Sequence, residues 1–218
     1  MSGPDQPAAL SGKVLLELSG VSKSFGRQKV IDEASLSLRG GRVMALVGPS
    51  GVGKSTLLEI MAGLTRPDSG RVSINTPPSL LFQDNSLIPW LSALANLTYI
   101  LPGSMPPGQA GNLALYWLAK FGLDPEKFPQ AMSGGMRRRL ALARTLAAGR
   151  ALVILDEPFA FLDSRWHELI IALVAQMAHN GALVVLAGHS VPHSLSAIAS
   201  GRLDVAEVAS QPIRLRWP

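Results

Sequence analysis

Two short stretches carry side chains whose type and order suit chemistry. Gly48-Pro49-Ser50-Gly51-Val52-Gly53-Lys54-Ser55 fits the pattern G-x-x-x-x-G-K-S/T. In such a loop the glycines let the backbone curl, so that successive N–H groups point at phosphate oxygens. Lys54 would neutralise β- and γ-phosphates, the Ser55 hydroxyl would ligate Mg²⁺, and Thr56 could bond a phosphate. Further along, Asp156-Glu157-Pro158 closes an apolar run. Asp156 would hold Mg²⁺, directly or through water, and Glu157 would polarise an attacking water as general base. Taken singly, these stretches also read as a glycine-rich turn and a capped strand end. Together they point to a site that binds and cuts a nucleotide triphosphate.

Such residues need a frame. Residues 43–47, 79–82, 151–155 and 182–186 are continuous apolar runs of strand length. Continuous rather than alternating apolarity marks strands buried on both faces, as in a parallel sheet covered by helices. Residues 14–18 and 30–38 alternate more and predict a small antiparallel sheet. Helical spacing predicts helices over 54–64, 112–121, 135–148 and 164–179. Residues 101–111 are rich in Pro and Gly and predict a loop. The phosphate loop thus follows a strand and opens a helix, whose positive dipole end adds to phosphate binding. The expected architecture is α/β, with a mixed or parallel sheet core, an N-terminal antiparallel β subdomain and a helical insertion. It is read as a single domain over 1–218, its core at 14–83 and 150–200 and its helical lobe at about 84–149.

The bulk composition fits that frame. The chain has 218 residues, 47% hydrophobic and 16% charged, with no cysteine. This describes a packed globular protein without disulfides or cysteine-held metal. The net charge of +5 and pI of about 10.0 suit nucleotides, nucleic acid or an anionic membrane, without choosing among them. The first residues lack the build of a signal peptide, and no run is long enough for a membrane span. If the protein works at a membrane, another chain must cross it.

Ser133-Gly134-Gly135-Met136-Arg137 stands one predicted helix before the carboxylate pair. With the phosphate loop and that pair in order, the chain resembles the ABC ATPases, from about residue 14 to residue 189. The resemblance implies a P-loop NTPase of ABC type that binds ATP with Mg²⁺ and hydrolyses it. Phe25 resembles the aromatic that stacks on adenine. Gln83 resembles the Q-loop glutamine, which senses Mg²⁺ and the γ-phosphate. Asp163 resembles the D-loop aspartate, which acts across the dimer interface, and His189 the switch histidine on the γ-phosphate. Ser133, Gly134, Gly135 and Met136 resemble the signature, which begins a helix and binds the γ-phosphate of ATP held by a second subunit.

The partners implied are that second ATPase subunit, expected to be an identical copy, a transmembrane permease and an extracytoplasmic solute-binding protein. No nucleic acid is implied. The place implied is peripheral, on the cytoplasmic face of the inner membrane. A soluble ABC ATPase acting on nucleic acid or ribosomes is the second reading.

Met132, Met136, the segment Gln83-Asp84-Asn85-Ser86-Leu87-Ile88-Pro89-Trp90-Leu91 and Asp156-Glu157-Pro158-Phe159 narrow the likeness. They look like the importers of nitrate, sulfonate, taurine and thiamine precursors. Phe161 and Gly188 depart from the family pattern, as do residues 198–218. Arg137, Arg138, Arg139, Arg144 and Arg150 read as a solvated helix face with some helix contacts, or as a contact for nucleotide, permease or lipid headgroups. Residues 87–91 suit either a groove for a permease helix or packing of the helical lobe.

Overall fold

The computed structural model describes residues 10–103, 105, 106, 108–190, 192, 194, 195 and 203–217. Two positions of the loop expected over 101–111, the expected core end at residue 200 and the first nine residues lie outside the described residues.

Two sheets form the protein. In the first, β1 (Val14–Phe25) and β2 (Gln28–Arg39) make an antiparallel hairpin closed by Gly26 and Arg27, with Phe25 facing Gln28. β4 (Ser69–Ile74) joins β1 antiparallel, and β9 (Arg216–Trp217) joins β2 parallel. The second sheet contains β3 (Val43–Val47), β5 (Pro78–Leu81), β6 (Leu152–Asp156), β7 (Leu183–Gly188) and β8 (Leu203–Glu207). Its order is β5-β6-β7-β3-β8, and every pairing in it is parallel.

The apolar strands bury both faces, as continuous runs should. Val43, Ala45, Val153, Leu155, Val184 and Leu186 face one core, together with the helical lobe. Met44, Leu46, Leu152, Ile154, Leu183 and Val185 face the other, together with the first sheet and α1 (Lys54–Met61). The two-residue period of a strand divides one run between two cores.

The helical lobe holds α2 (Ala93–Thr98), α3 (Gln109–Lys120) and α4 (Gly134–Ala147), and α5 (Ser164–His179) lies beyond β6. α4 starts with Ser133 as N-cap, its hydroxyl accepting from Met136 N–H at 3.2 Å. α5 starts the same way with Asp163, whose carboxylate accepts from Trp166 N–H at 3.4 Å. Ser and Asp at these positions satisfy an N–H that the helix cannot.

Residues 203–217 do more than the sequence suggested. β8 flanks β3, and Val208 N–H donates to Val47 O at 2.7 Å. The poor match of this segment to the family pattern therefore hides a strand of the central sheet. α2 and β9 were also not legible in the sequence.

Candidate functional site

The strand register assembles the site. Leu81 pairs with Leu155, Leu155 with Leu186, and Val47 with Gly188. Two residues past Leu81 is Gln83, and two past Leu155 is Glu157. One past Gly188 is His189, and one past Val47 is Gly48. All four segments leave the sheet at its carboxyl edge, where ligands of open α/β sheets bind. An open cleft of about 810 Å³ lies there, lined by Ser50, Gly51, Gly53, Lys54, Ser55, Thr56, Gln83, Glu157 and His189, with residues the sequence had not singled out.

The loop between β3 and α1 is shaped by two close approaches. A Cβ on Gly48 would lie 2.2 Å from Val208 O, and one on Gly53 would lie 2.5 Å from Val30 Cγ1. Gly53 also holds φ at +108°, which side chains rarely adopt. Lys54 is 6% exposed. Its ammonium donates to Gly48 O at 2.8 Å and Pro49 O at 2.9 Å. Three donors belong to an ammonium, so one remains for a ligand. Among the described residues no carboxylate neutralises it, which suits an anionic guest. Pro49 and Val52 complete the loop, Val52 turned into the core.

Glu157 sits in the left-handed region, at φ +49°. Its N–H donates to Ala187 O at 2.9 Å. Its Oε1 lies 3.7 Å from His189 Nε2, and that nitrogen lies 3.1 Å from Ser50 Oγ. Carboxylate, imidazole and loop hydroxyl thus converge on one wall. Asp156 is 5% exposed, behind Glu157. The Ser55 hydroxyl, the Asp156 carboxylate and the Gln83 amide are hard oxygen donors with a single carboxylate among them. That set fits Mg²⁺, which completes its shell with water and phosphate oxygens.

Other expected residues stand apart from the cleft wall. Phe25, at the end of β1, is 54% exposed, with Lys23 Nζ 5.5 Å from its ring centroid. An exposed ring with a cation beside it can stack an aromatic base. Ser133, Gly134, Gly135 and Met136 open α4, where a Cβ on Gly135 would lie 3.1 Å from Phe161 O. Asp163 caps α5 and does not line the cleft. Phe161 does line it and is 81% exposed, in the left-handed region at φ +64°.

Of the arginine run, Arg138 departs from the solvated face with helix contacts that the sequence suggested. Arg137 and Arg150 are exposed, whereas Arg138 is buried to 1% and reaches the cleft. Arg139 donates to Phe121 O and stacks on the Trp166 ring at 4.3 Å, and Arg144 donates to Ser86 O at 2.6 Å. Burial pulls the guanidiniums of Arg138 and Arg144 below their ordinary values. The sequence also missed Asn96 and His167. Asn96 is fully buried and bonds the backbone of Ile88 and Leu91. His167 Nε2 lies 3.1 Å from Phe159 O at the cleft. In residues 87–91, Leu87 packs on the core, as the lobe-packing reading expected, while Trp90 is 75% exposed.

Residues 31–160, which include the phosphate loop and the carboxylate pair, match the ABC transporter family. The chain belongs to that family. This ABC protein is 39% identical to the aliphatic sulfonates import ATP-binding protein SsuB 3 of Paraburkholderia xenovorans, over 88% of this chain and 76% of that one. It is 35% identical to the SsuB protein of Mycobacterium avium, over 91% and 82% of the two chains. Among solved structures it superposes on the ATP-binding cassette MJ0796, a post-hydrolysis dimer bound to ADP and Pi. The TM-score is 0.78 at 26% identity, covering 90% of this chain and 96% of that one. As an ABC ATP-binding subunit the chain is an ATPase. The cassette fold agrees with the architecture expected from the sequence. No described helix is long and apolar enough to cross a membrane.

Proposed function

We propose that this ABC ATPase drives import of a small anionic solute of the aliphatic sulfonate class through a separate permease. The observation that carries the catalytic reading is the convergence of Lys54, Ser50, Glu157 and His189 at one sheet edge. Its similarity to the SsuB proteins supports the solute class. The whole chain acts as one cassette, with a helical lobe at about 84–149 and a core that takes in β8 beside β3.

ATP lies with its triphosphate along Gly48–Thr56 and its base on Phe25. Lys54 takes charge from the β- and γ-phosphates with its remaining N–H. Ser55, Asp156 and Gln83 would hold Mg²⁺, which would supply neutralisation of phosphate charge. Glu157 takes the proton of the attacking water at its carboxylate, and His189 donates to a γ-phosphate oxygen. Ser133, Gly134, Gly135 and Met136 reach the ATP of a second copy, and Asp163 faces the same interface. Two nucleotides are thus enclosed between two chains, so binding closes the pair and hydrolysis releases it. The subunit sits peripherally on the cytoplasmic face of the inner membrane, where the permease receives solute from an extracytoplasmic binding protein.

The test is Glu157→Gln. Gln keeps the shape of the side chain and, because the bond to Ala187 is made by main chain, the local backbone. Phosphate release should fall about 10²–10⁴-fold, the usual contribution of a general base. Size-exclusion chromatography with Mg-ATP should show a trapped dimer. Turnover at the wild-type rate would refute the role of Glu157.

A further inference from the structure

Arg138 lies three residues beyond Gly135 in α4, with its guanidinium buried between two segments of the site. Its Nη1 donates to Phe82 O at 2.6 Å and to Asn85 Oδ1 at 2.8 Å. Its Nη2 donates to Asp156 O, and to Glu157 O at 2.8 Å. The acceptors flank Gln83 on one side and are the catalytic carboxylate segment itself on the other. None is a carboxylate oxygen, and Nε has no partner among the described residues.

Burying the charge costs solvation, which the bonds it makes must offset. What a guanidinium supplies is geometry, since its planar fork fixes several oxygens at once. The peptide it holds needs fixing. Glu157 is left-handed, at φ +49°, a strained region that persists only where neighbours over-determine it. Its N–H is tied to Ala187 O and its C=O to Arg138.

We propose that Arg138 is a positioning residue that fixes the Glu157 peptide and the Gln83 loop to the helix bearing Ser133–Gly135, and so sets turnover rather than nucleotide affinity. The proposal rests on the ATPase reading of Glu157 given above. It also gives that helix a direct mechanical link to the base. A displacement of α4 reaches the Glu157 main chain through the bond from Arg138 to its carbonyl.

The experiment measures kcat and KM for ATP, ADP affinity and thermal melting in Arg138→Met, Arg138→Lys and Asn85→Gly. Misplacing a reacting group by an ångström costs about 10²-fold in rate, and Arg138→Met should lose kcat on that scale with KM and ADP affinity within about threefold. Arg138→Lys, which keeps the charge and fewer bonds, should recover part of the loss. Asn85→Gly removes one acceptor while suiting the φ of +64° at that position. It should lower kcat by about threefold at constant KM. A folded Arg138→Met with wild-type kcat overturns the proposal. If that variant does not fold, wild-type kcat in Asn85→Gly overturns it. Glu157→Gln is measured alongside. Wild-type turnover in Glu157→Gln sinks the ATPase reading, whereas its inactivity beside an unaffected Arg138→Met sinks the positioning role alone.

Discussion

Replacing Asn96 with Leu tests whether a buried amide holds the loop that follows Gln83. The two side chains share one branched skeleton, so Leu keeps the shape at somewhat greater bulk while every polar contact is lost. Asn96 Oδ1 accepts from Ile88 N–H at 2.9 Å. Its Nδ2 donates to the carbonyls of Ile88 at 3.0 Å, Leu91 at 2.9 Å and Ser92 at 3.1 Å. Two of these carbonyls keep another partner, since Leu91 N–H bonds Ile88 O and Asn96 N–H bonds Ser92 O. Ile88 N–H loses its acceptor, at a cost of about 1–3 kcal/mol, and the remaining bonds contribute roughly 1 kcal/mol more. The sum is about 2–4 kcal/mol. For a chain of this size each kcal/mol shifts Tm by about 2–4 °C, so the melt should fall by about 5–15 °C. Circular dichroism during heating, without nucleotide, measures this directly. A shift below about 2 °C would mean that solvent already satisfies these groups and that the amide does not organise the loop.

Two further outcomes are expected. Lys54→Ala removes a charge-assisted bond to phosphate of about 1.5–3 kcal/mol, so ATP affinity should drop at least about tenfold with the fold intact, read by equilibrium binding and melting. The carboxyl of Asp68 is held below its usual value of 3.8 by the Lys23 ammonium and by Ser24 N–H, and that of Asp32 by Lys29 and Arg214. A depressed folded value favours the folded state fully above the unfolded value and loses that contribution as pH falls through the folded one. Asp68→Asn combined with Asp32→Asn should therefore flatten the fall of stability below about pH 4 and leave its slope above pH 6 unchanged, measured by denaturant unfolding at each pH.

The phosphate loop and the carboxylate pair were legible because their chemistry is local: glycines, a lysine and adjacent acids must occur in that order to work. The central strands were legible because burial on both faces leaves an unbroken apolar run. Arg138 was hidden by its neighbours, since Arg137-Arg138-Arg139 reads as a wet helix face. Helical spacing held the missing signal, as Arg138 lies four and seven residues before the buried Leu142 and Thr145. α2 has six residues, too few to show a period. β8 was obscured because Asp204 and Glu207 break its apolarity, although Asp204 pairs with Arg42. Asn96 gave no warning at all, because a single amide in a helix carries no pattern.

The placing of β3 bears on how the protein is made. That strand ends at the phosphate loop, yet its two sheet neighbours are β7 and β8, both encoded far downstream. The loop is then backed by Val208, by Gln211 through a bond to Gly51 O at 2.7 Å, and by Ile213 against Gly53. During synthesis the loop leaves the ribosome early and must wait for these partners. At about 5–20 residues per second the interval is on the order of 10 s. Throughout that time the nascent chain carries a nucleotide motif without the sheet that shapes it. The surroundings of the phosphate loop are therefore complete only after residues 203–217 have emerged, so the most local motif of the sequence is among the last parts of the fold to be finished.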